Sequence, residues 1–163
     1  MMLRKGEHSV MLELVIPTLD DLWFREKLLA DEETMAYNNM WGGTISFPKE
    51  VWREWYQHWI VNHENLRYYR YLKNENDYVG EIAYHYDFEY GGYVANIIIF
   101  SDYRGRGYGT EGLKLLCDAA KDNLIEALYD DIAIDNSAIH MFLKEGFIEE
   151  YRTEEKIVLK KVL

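Results

Sequence analysis

Apolar positions from Val10 to Ile16 suggest a strand, closed by Pro17, which has no N–H to give to a ladder. Thr18 then reads as a helix N-cap, with Asp20 and Asp21 in the first turn where the helix dipole favours anions. Leu19, Leu22, Trp23, Glu26 and Leu29 form a helical stripe with one polar interruption. A short helix is predicted over Glu32 to Tyr37, ended by Asn38-Asn39 and the Gly42-Gly43 break. Pro48 suits the first turn of another helix, in which Val51, Trp52, Trp55, Trp59 and Ile60 share a face. That aromatic face reads as core packing in preference to a pocket lining, because helical periodicity usually reports burial.

Three strands in meander order follow, over Leu66 to Leu72, Tyr78 to Asp87 and Tyr93 to Phe100, with Gly80 marking a candidate bulge. Asn74 to Asp77 and Tyr90 to Gly92 supply the turns. After a glycine-rich stretch, Leu113, Leu116, Cys117 and Ala120 define the apolar face of a helix, which makes Cys117 a buried thiol. Leu128 to Ile134 reads as a strand, Asp135 to Ser137 as caps of a helix stopped by Gly146, and Phe147 to Tyr151 with Lys156 to Leu163 as a last antiparallel pair. The order β-α-α-β-β-β-α-β-α-β-β describes one α+β, or mixed α/β, domain over residues 1–163.

Composition narrows the class. With 29 acidic and 18 basic side chains the net charge is -11, a surface that repels nucleic acid and anionic membrane and favours cationic partners. The single cysteine fits a reducing compartment. Glu7, His8 and Glu13 interrupt any signal-like apolar run, and Val94 to Phe100 is far too short to span a bilayer, so a cytoplasmic location is expected. His58 and His63 are five apart and do not share a helical face, so no metal site is expected. Arg67-Tyr-Tyr-Arg70-Tyr interleaves charge and aromatics as nucleic-acid binders do, but on a strand of an acidic chain it reads as packing.

The stretch DYRGRGYGTEGL, Asp102 to Leu113, carries four glycines and two arginines. Gly107, Gly109 and Gly112 satisfy the G-x-G-x-x-G dinucleotide pattern, with Asp130 or Asp131 at the distance of its acidic residue. The remaining chain is too short for a doubly wound sheet, and antiparallel hairpins flank the motif on both sides. Arg104, Gly107 and Gly109 instead form R-x-x-G-x-G at a helix start, where the N–H groups of residues 104 to 109 would cradle an anion. Thirty residues on, Asn136, Gly146 and Phe147 frame a second strand-to-helix unit.

With both motifs in order, the chain resembles the GCN5-related N-acetyltransferase (GNAT) family over residues 10 to 162. Arg104, Gly107 and Gly109 meet that family's R/Q-x-x-G-x-G/A signature. The resemblance implies a mixed, mostly antiparallel, splayed central sheet flanked by helices, and acetyl-CoA as co-substrate with no metal. It implies that Arg104, Gly105, Arg106, Gly107, Tyr108, Gly109 and Thr110 hold the pyrophosphate, that Ile98, Ile99 and Phe100 offer free backbone to the pantetheine arm, and that Asn136 bonds the pantetheine or orders its helix. A homodimer is common in such proteins.

The implied reaction is direct attack of a primary amine on the thioester. The amine belongs to a small molecule, with cationic ones favoured by the acidic surface, or to an exposed N-terminus. A non-catalytic acyl-CoA-binding module is the alternative, because the tyrosine that often protonates the leaving thiolate is replaced by Phe142. Tyr108, Tyr129 and Tyr151 are candidate acids. Glu81, His85 and Glu89 are candidate bases; Glu81, Ala83 and His85 share one strand face, and Glu81 reads first as a solvent-facing carboxylate. Asn96 stands near where some relatives carry a catalytic glutamate. The acceptor side is expected from the first two helices, the Trp41 to Gly43 loop and the Tyr90 to Gly92 turn.

Overall fold

A computed structural model describes residues 11–163; the expectations for residues 1–10, including Val10 in the first strand, lie outside it. The strands are β1 (Glu13–Val15), β2 (Arg67–Lys73), β3 (Tyr78–Asp87), β4 (Gly92–Ile99), β5 (Ala127–Ala133), β6 (Ile148–Arg152) and β7 (Lys156–Val162). The helices are α1 (Trp23–Ala30), α2 (Lys49–Tyr56), α3 (Tyr108–Asp122) and α4 (Ile139–Lys144), so the chain order is the expected one. The strands form one sheet ordered β1-β2-β3-β4-β5-β7-β6, and every neighbouring pair is antiparallel except β4 with β5.

Helices cover both faces. α3 and α4 lie on one, over Leu72, Ile82, Tyr84, Ala95, Leu128 and Ile132. α1 and α2 lie on the other, over Tyr69, Tyr71, Ala83 and Ile98. Alternation along each strand divides its side chains between these two cores.

The first helical segment departs from the predicted stripe. Leu19–Leu22 is a 3-10 turn that runs into α1, and Phe24 and Leu28 join Leu22 and Leu29 in the core while Trp23 is 49% exposed. Three residues per turn instead of 3.6 shifts the angular phase of every position that follows. The second short helix is likewise a 3-10 segment, Thr34–Trp41, which passes through Asn38 and Asn39 and stops at Gly42. Pro48 sits at the N-cap of α2, and after Tyr56 the helix widens into a π-helical turn, Gln57–Val61.

The expected irregularity near Gly80 is present. Leu72 pairs with Gly80 and Lys73 with Tyr78, so Val79 is the extra residue of a bulge. A side chain at position 80 would place its Cβ 2.3 Å from the Ile98 carbonyl oxygen, so glycine lets β3 and β4 approach here. Cys117 is buried, and burial first of all pushes its thiol up to about 11.

One buried ion pair ties α1 to the sheet. Arg25 Nη1 lies 2.6 Å from both carboxylate oxygens of Glu81, and the Tyr69 hydroxyl donates to the same carboxylate. Glu81 is 1% exposed, which overturns its reading as a solvent-facing residue. The guanidinium sits over the rings of Phe47, Trp55 and Tyr69 at 5.0, 4.7 and 5.4 Å. Burial opposes the Arg25 charge, but Glu81 and Tyr69 more than offset it and hold its pKa above the ordinary arginine value.

Removing one partner leaves the other charge buried alone. Glu81→Ala should therefore cost about 3–5 kcal/mol in urea unfolding, and the double substitution Arg25→Met with Glu81→Leu should recover a large part of that loss.

Candidate active site

The site begins where two strands part. β4 and β5 are paired only through Tyr93 with Leu128 and Val94 with Tyr129, although β4 continues to Ile99 and β5 to Ala133. The opening is the floor of a cleft of about 860 Å³, lined from β4 by Val94 to Ile99 and from β5 by Asp130 to Ala133.

Backbone direction decides which groups face the opening. The Phe100 N–H donates to Val79 O on β3, at 2.9 Å. By alternation the main-chain groups of Ile98 also point to β3, while those of Ala95, Ile97 and Ile99 point toward β5, across the gap. Of the predicted trio Ile98, Ile99 and Phe100, only Ile99 therefore turns its backbone to the opening, and Ile97 joins it.

At the far end of β4 the chain makes a short 3-10 turn, Ser101–Tyr103, and then the glycine loop. Gly105 and Gly107 have φ of +75° and +84°, which L side chains rarely adopt, and Gly107 caps α3. The first helical bond of α3 into the loop runs from Glu111 N to Gly107 O. The N–H groups of residues 105 through 110 thus have no hydrogen-bond acceptor among the described residues. The row begins one residue later than expected, because the Arg104 N–H donates to Ser101 O.

The two arginines differ. Arg104 donates from Nη1 to Glu33 O at 3.2 Å and from Nη2 to Thr34 O at 2.6 Å, so it fastens the loop to the 3-10 segment. Arg106 lies over the Tyr103 ring at 5.5 Å, with one long contact to Asp102 O, and its charge stands at the loop surface. Gly109 and Gly112 serve packing: a Cβ would meet Met141 Sδ of α4 at 3.1 Å and Leu72 Cδ1 of β2 at 2.8 Å, respectively. Thr110 and Tyr108 line the cleft, and the Tyr108 hydroxyl accepts from Asn74 Nδ2 at 3.3 Å. Asn136 lines it too, with its Oδ1 accepting from the Ala138 N–H, so the side chain orders the turn into α4.

On the α1/α2 side, Glu81, Ala83 and His85 open onto the same cleft, in register with Ile98, Asn96 and Val94. Glu81 is committed to Arg25 and Tyr69. His85 is half-buried, edge-on to Trp59 at 6.0 Å, and burial lowers its pKa below 6.5 with Asp87 opposing, so it is neutral at pH 7. Trp55 and Trp59 stack at 6.0 Å over this half, while Trp52 enters the core. The aromatic helix face thus serves both core and cleft. Tyr37 and Trp41 complete the wall, and burial, then Glu81 and Asp130, push the Tyr37 phenol up to about 12.

Some expected residues lie elsewhere. The Tyr90 to Gly92 turn packs against the Tyr129 ring and does not line the cleft. Tyr129 and Tyr151 are likewise outside it, whereas Phe142 lines it, buried edge-to-face on Phe147. Arg25, Tyr37, Tyr69 and Asp130 line the cleft without having been assigned a role in it from sequence. No group of three metal-ligating side chains comes together among the described residues, and none of their helices is long and apolar enough to cross a membrane.

Comparisons with known proteins agree with this geometry. The spermidine N-acetyltransferase of Vibrio cholerae, solved with CoA and spermine, superposes with a TM-score of 0.77 at 19% identity, covering 93% of this chain and 95% of that one. The ribosomal-protein-alanine N-acetyltransferase of Brucella melitensis gives 0.72 at 18% identity, covering 94% and 99%. An acetyltransferase of Thermus thermophilus gives 0.72 at 19% identity, covering 96% and 100%. No curated protein sequence matches significantly. The family model for the acetyltransferase (GNAT) family matches residues 27–147, and the chain belongs to that family, of N-acetyltransferases that use acetyl-CoA.

Proposed function

We propose that the protein transfers the acetyl group of acetyl-CoA to a primary amine of a small cationic molecule, by direct attack of the amine on the thioester. The observation that carries this reading is that two separate sets of unpaired backbone donors border one cleft, residues 105–110 at the start of α3 and the parted edge of β4. Six consecutive N–H groups at a helix N-terminus suit a pyrophosphate, and Arg106 adds charge in an otherwise acidic protein. The edge amides at Ile97 and Ile99 suit an extended pantetheine arm, which supplies the partners that β5 does not.

The acceptor side supports a cation. Tyr37, Trp41, Trp55 and Trp59 line that half of the cleft with aromatic rings, which attract ammonium groups, though the Trp55 ring is already engaged by Arg25 and Trp59. The net charge of -11 raises the local concentration of cations, and the Vibrio cholerae relative was solved with spermine. His85, neutral at pH 7 and in the same wall, is the group to take the ammonium proton, directly or through a water. Glu81, held by Arg25, positions the wall.

Thiol release from acetyl-CoA across a panel of polyamines, aminoglycosides and peptides with free N-termini tests the reading. Stimulation by polyamines is expected; coenzyme binding without stimulation by any amine would make the chain a binding module. With an active amine, kcat/KM should fall as pH drops through the lowered His85 pKa, below 6.5, since the protonated imidazole cannot accept a proton. His85→Ala should remove that limb and cost about 100-fold or more. Gly107→Val should abolish the thermal stabilisation given by CoA, since valine resists a φ of +84°, while circular dichroism stays unchanged.

A further inference from the structure

Phe142 leaves the departing thiolate without the donor that its position would otherwise supply, yet another acidic group stands beside the same gap. Asp130 is the first residue of β5 past the last pair with β4. Extending that register sets it opposite Ala95, at the point where the cleft opens. It alternates with Leu128 and Ile132, whose side chains enter the core that also contains Phe142, so Asp130 and Phe142 belong to the same sheet face.

Apart from the neighbouring Asp131 backbone N–H, no group among the described residues bonds the carboxyl of Asp130. Lys156 reaches across to Asp131 at 3.0 Å, and no cation among the described residues pairs with Asp130. Its register partner on β7 is Leu159, and α4 brings Met141 and Phe142 to the cleft. The titratable groups that bear on it are Asp131 on its own strand and Tyr37 from the far wall. Neither provides a compensating positive charge. A carboxyl in such a setting is more stable with its proton on, and burial, followed by the like charge of Asp131, moves its pKa well above the usual carboxylate range.

Resting on the acetyl-transfer reading above, we propose that Asp130 is the acid that protonates the departing coenzyme A sulfur. The amine nitrogen forms its bond to the thioester carbonyl carbon, and the carbonyl pair moves onto oxygen. When that intermediate collapses the C–S bond breaks, its electron pair goes to sulfur, and the Asp130 proton goes to the same sulfur. The proton shed by the amine leaves through His85 and solvent, and the Asp130 carboxylate regains a proton from solvent. Atoms and charge then balance as amide plus free thiol.

Two measurements decide the matter. A crystal structure with CoA should place the sulfur within hydrogen-bonding reach of an Asp130 carboxyl oxygen; a sulfur turned away from Asp130 overturns the assignment. With an amine that the wild type accepts, Asp130→Asn should lower kcat at saturating acetyl-CoA about 100-fold or more, the range for loss of a general acid, with KM for both substrates little changed. The wild-type kcat should fall at high pH as Asp130 loses its proton, Asp130→Asn should lack that limb, and Asp130→Glu should restore part of the rate. Unchanged kcat in Asp130→Asn overturns the role alone, as does a raised amine KM at constant kcat, which would make Asp130 a cation anchor. A wild type that binds CoA but releases no thiol with any amine overturns the acetyl-transfer reading, and this role with it.

Discussion

The parting of β4 and β5 after two residue pairs is the constraint from which the site follows. A parallel pair normally satisfies its main-chain groups along its whole length, and here the pairing ends at Val94 and Tyr129. The two strands stay in one sheet because each is anchored on its other side, β4 to β3 over eight positions and β5 to β7 over seven. The opening can therefore persist without unravelling the sheet. It leaves donors and acceptors at Ala95, Ile97 and Ile99 that a linear amide-bearing molecule can satisfy, and it lets both helical layers reach one cleft.

Electrostatics is arranged around main-chain groups more than around side-chain charge. Arg104, the first residue of the glycine motif, is spent on the carbonyls of Glu33 and Thr34, and those bonds place the loop against the 3-10 segment. The same junction is tied by Asp31, whose carboxylate accepts from Thr34 Oγ1 at 2.5 Å and Ser101 Oγ at 2.8 Å. These hydrogen bonds hold its pKa below the ordinary aspartate value. What remains for an anion is the row of N–H dipoles at residues 105–110, already oriented by the loop, with the Arg106 charge beside it.

Much of this was legible in the chain. The apolar runs bounded by turn residues located β3, whose ends match the reading, and β4 to within a residue, because helices cover both faces of these strands. The paired motifs at Arg104 to Gly109 and Asn136 to Phe147 pointed to the right strand-to-helix junctions. What escaped was whatever depends on a distant partner. Glu81 looked like a surface carboxylate because Arg25, which allows it to be buried, lies 56 residues earlier on a helix whose phase is shifted by a 3-10 turn. Trp52 in the core and Trp55 over the cleft sit on one α-helical face whose two ends meet different neighbours, and Trp59 joins Trp55 through a π-helical turn that periodicity at 3.6 does not anticipate.

The two glycines of R-x-x-G-x-G carry unequal obligations. At Gly107 the requirement is a backbone angle, which no rearrangement of neighbours relaxes. At Gly109 it is only room beside the tip of Met141, a flexible thioether that swings aside at small expense. A single methyl is thus admissible at the second position and strained at the first, and in this chain an alanine at position 109 would be accommodated by the suppleness of one side chain on the neighbouring helix.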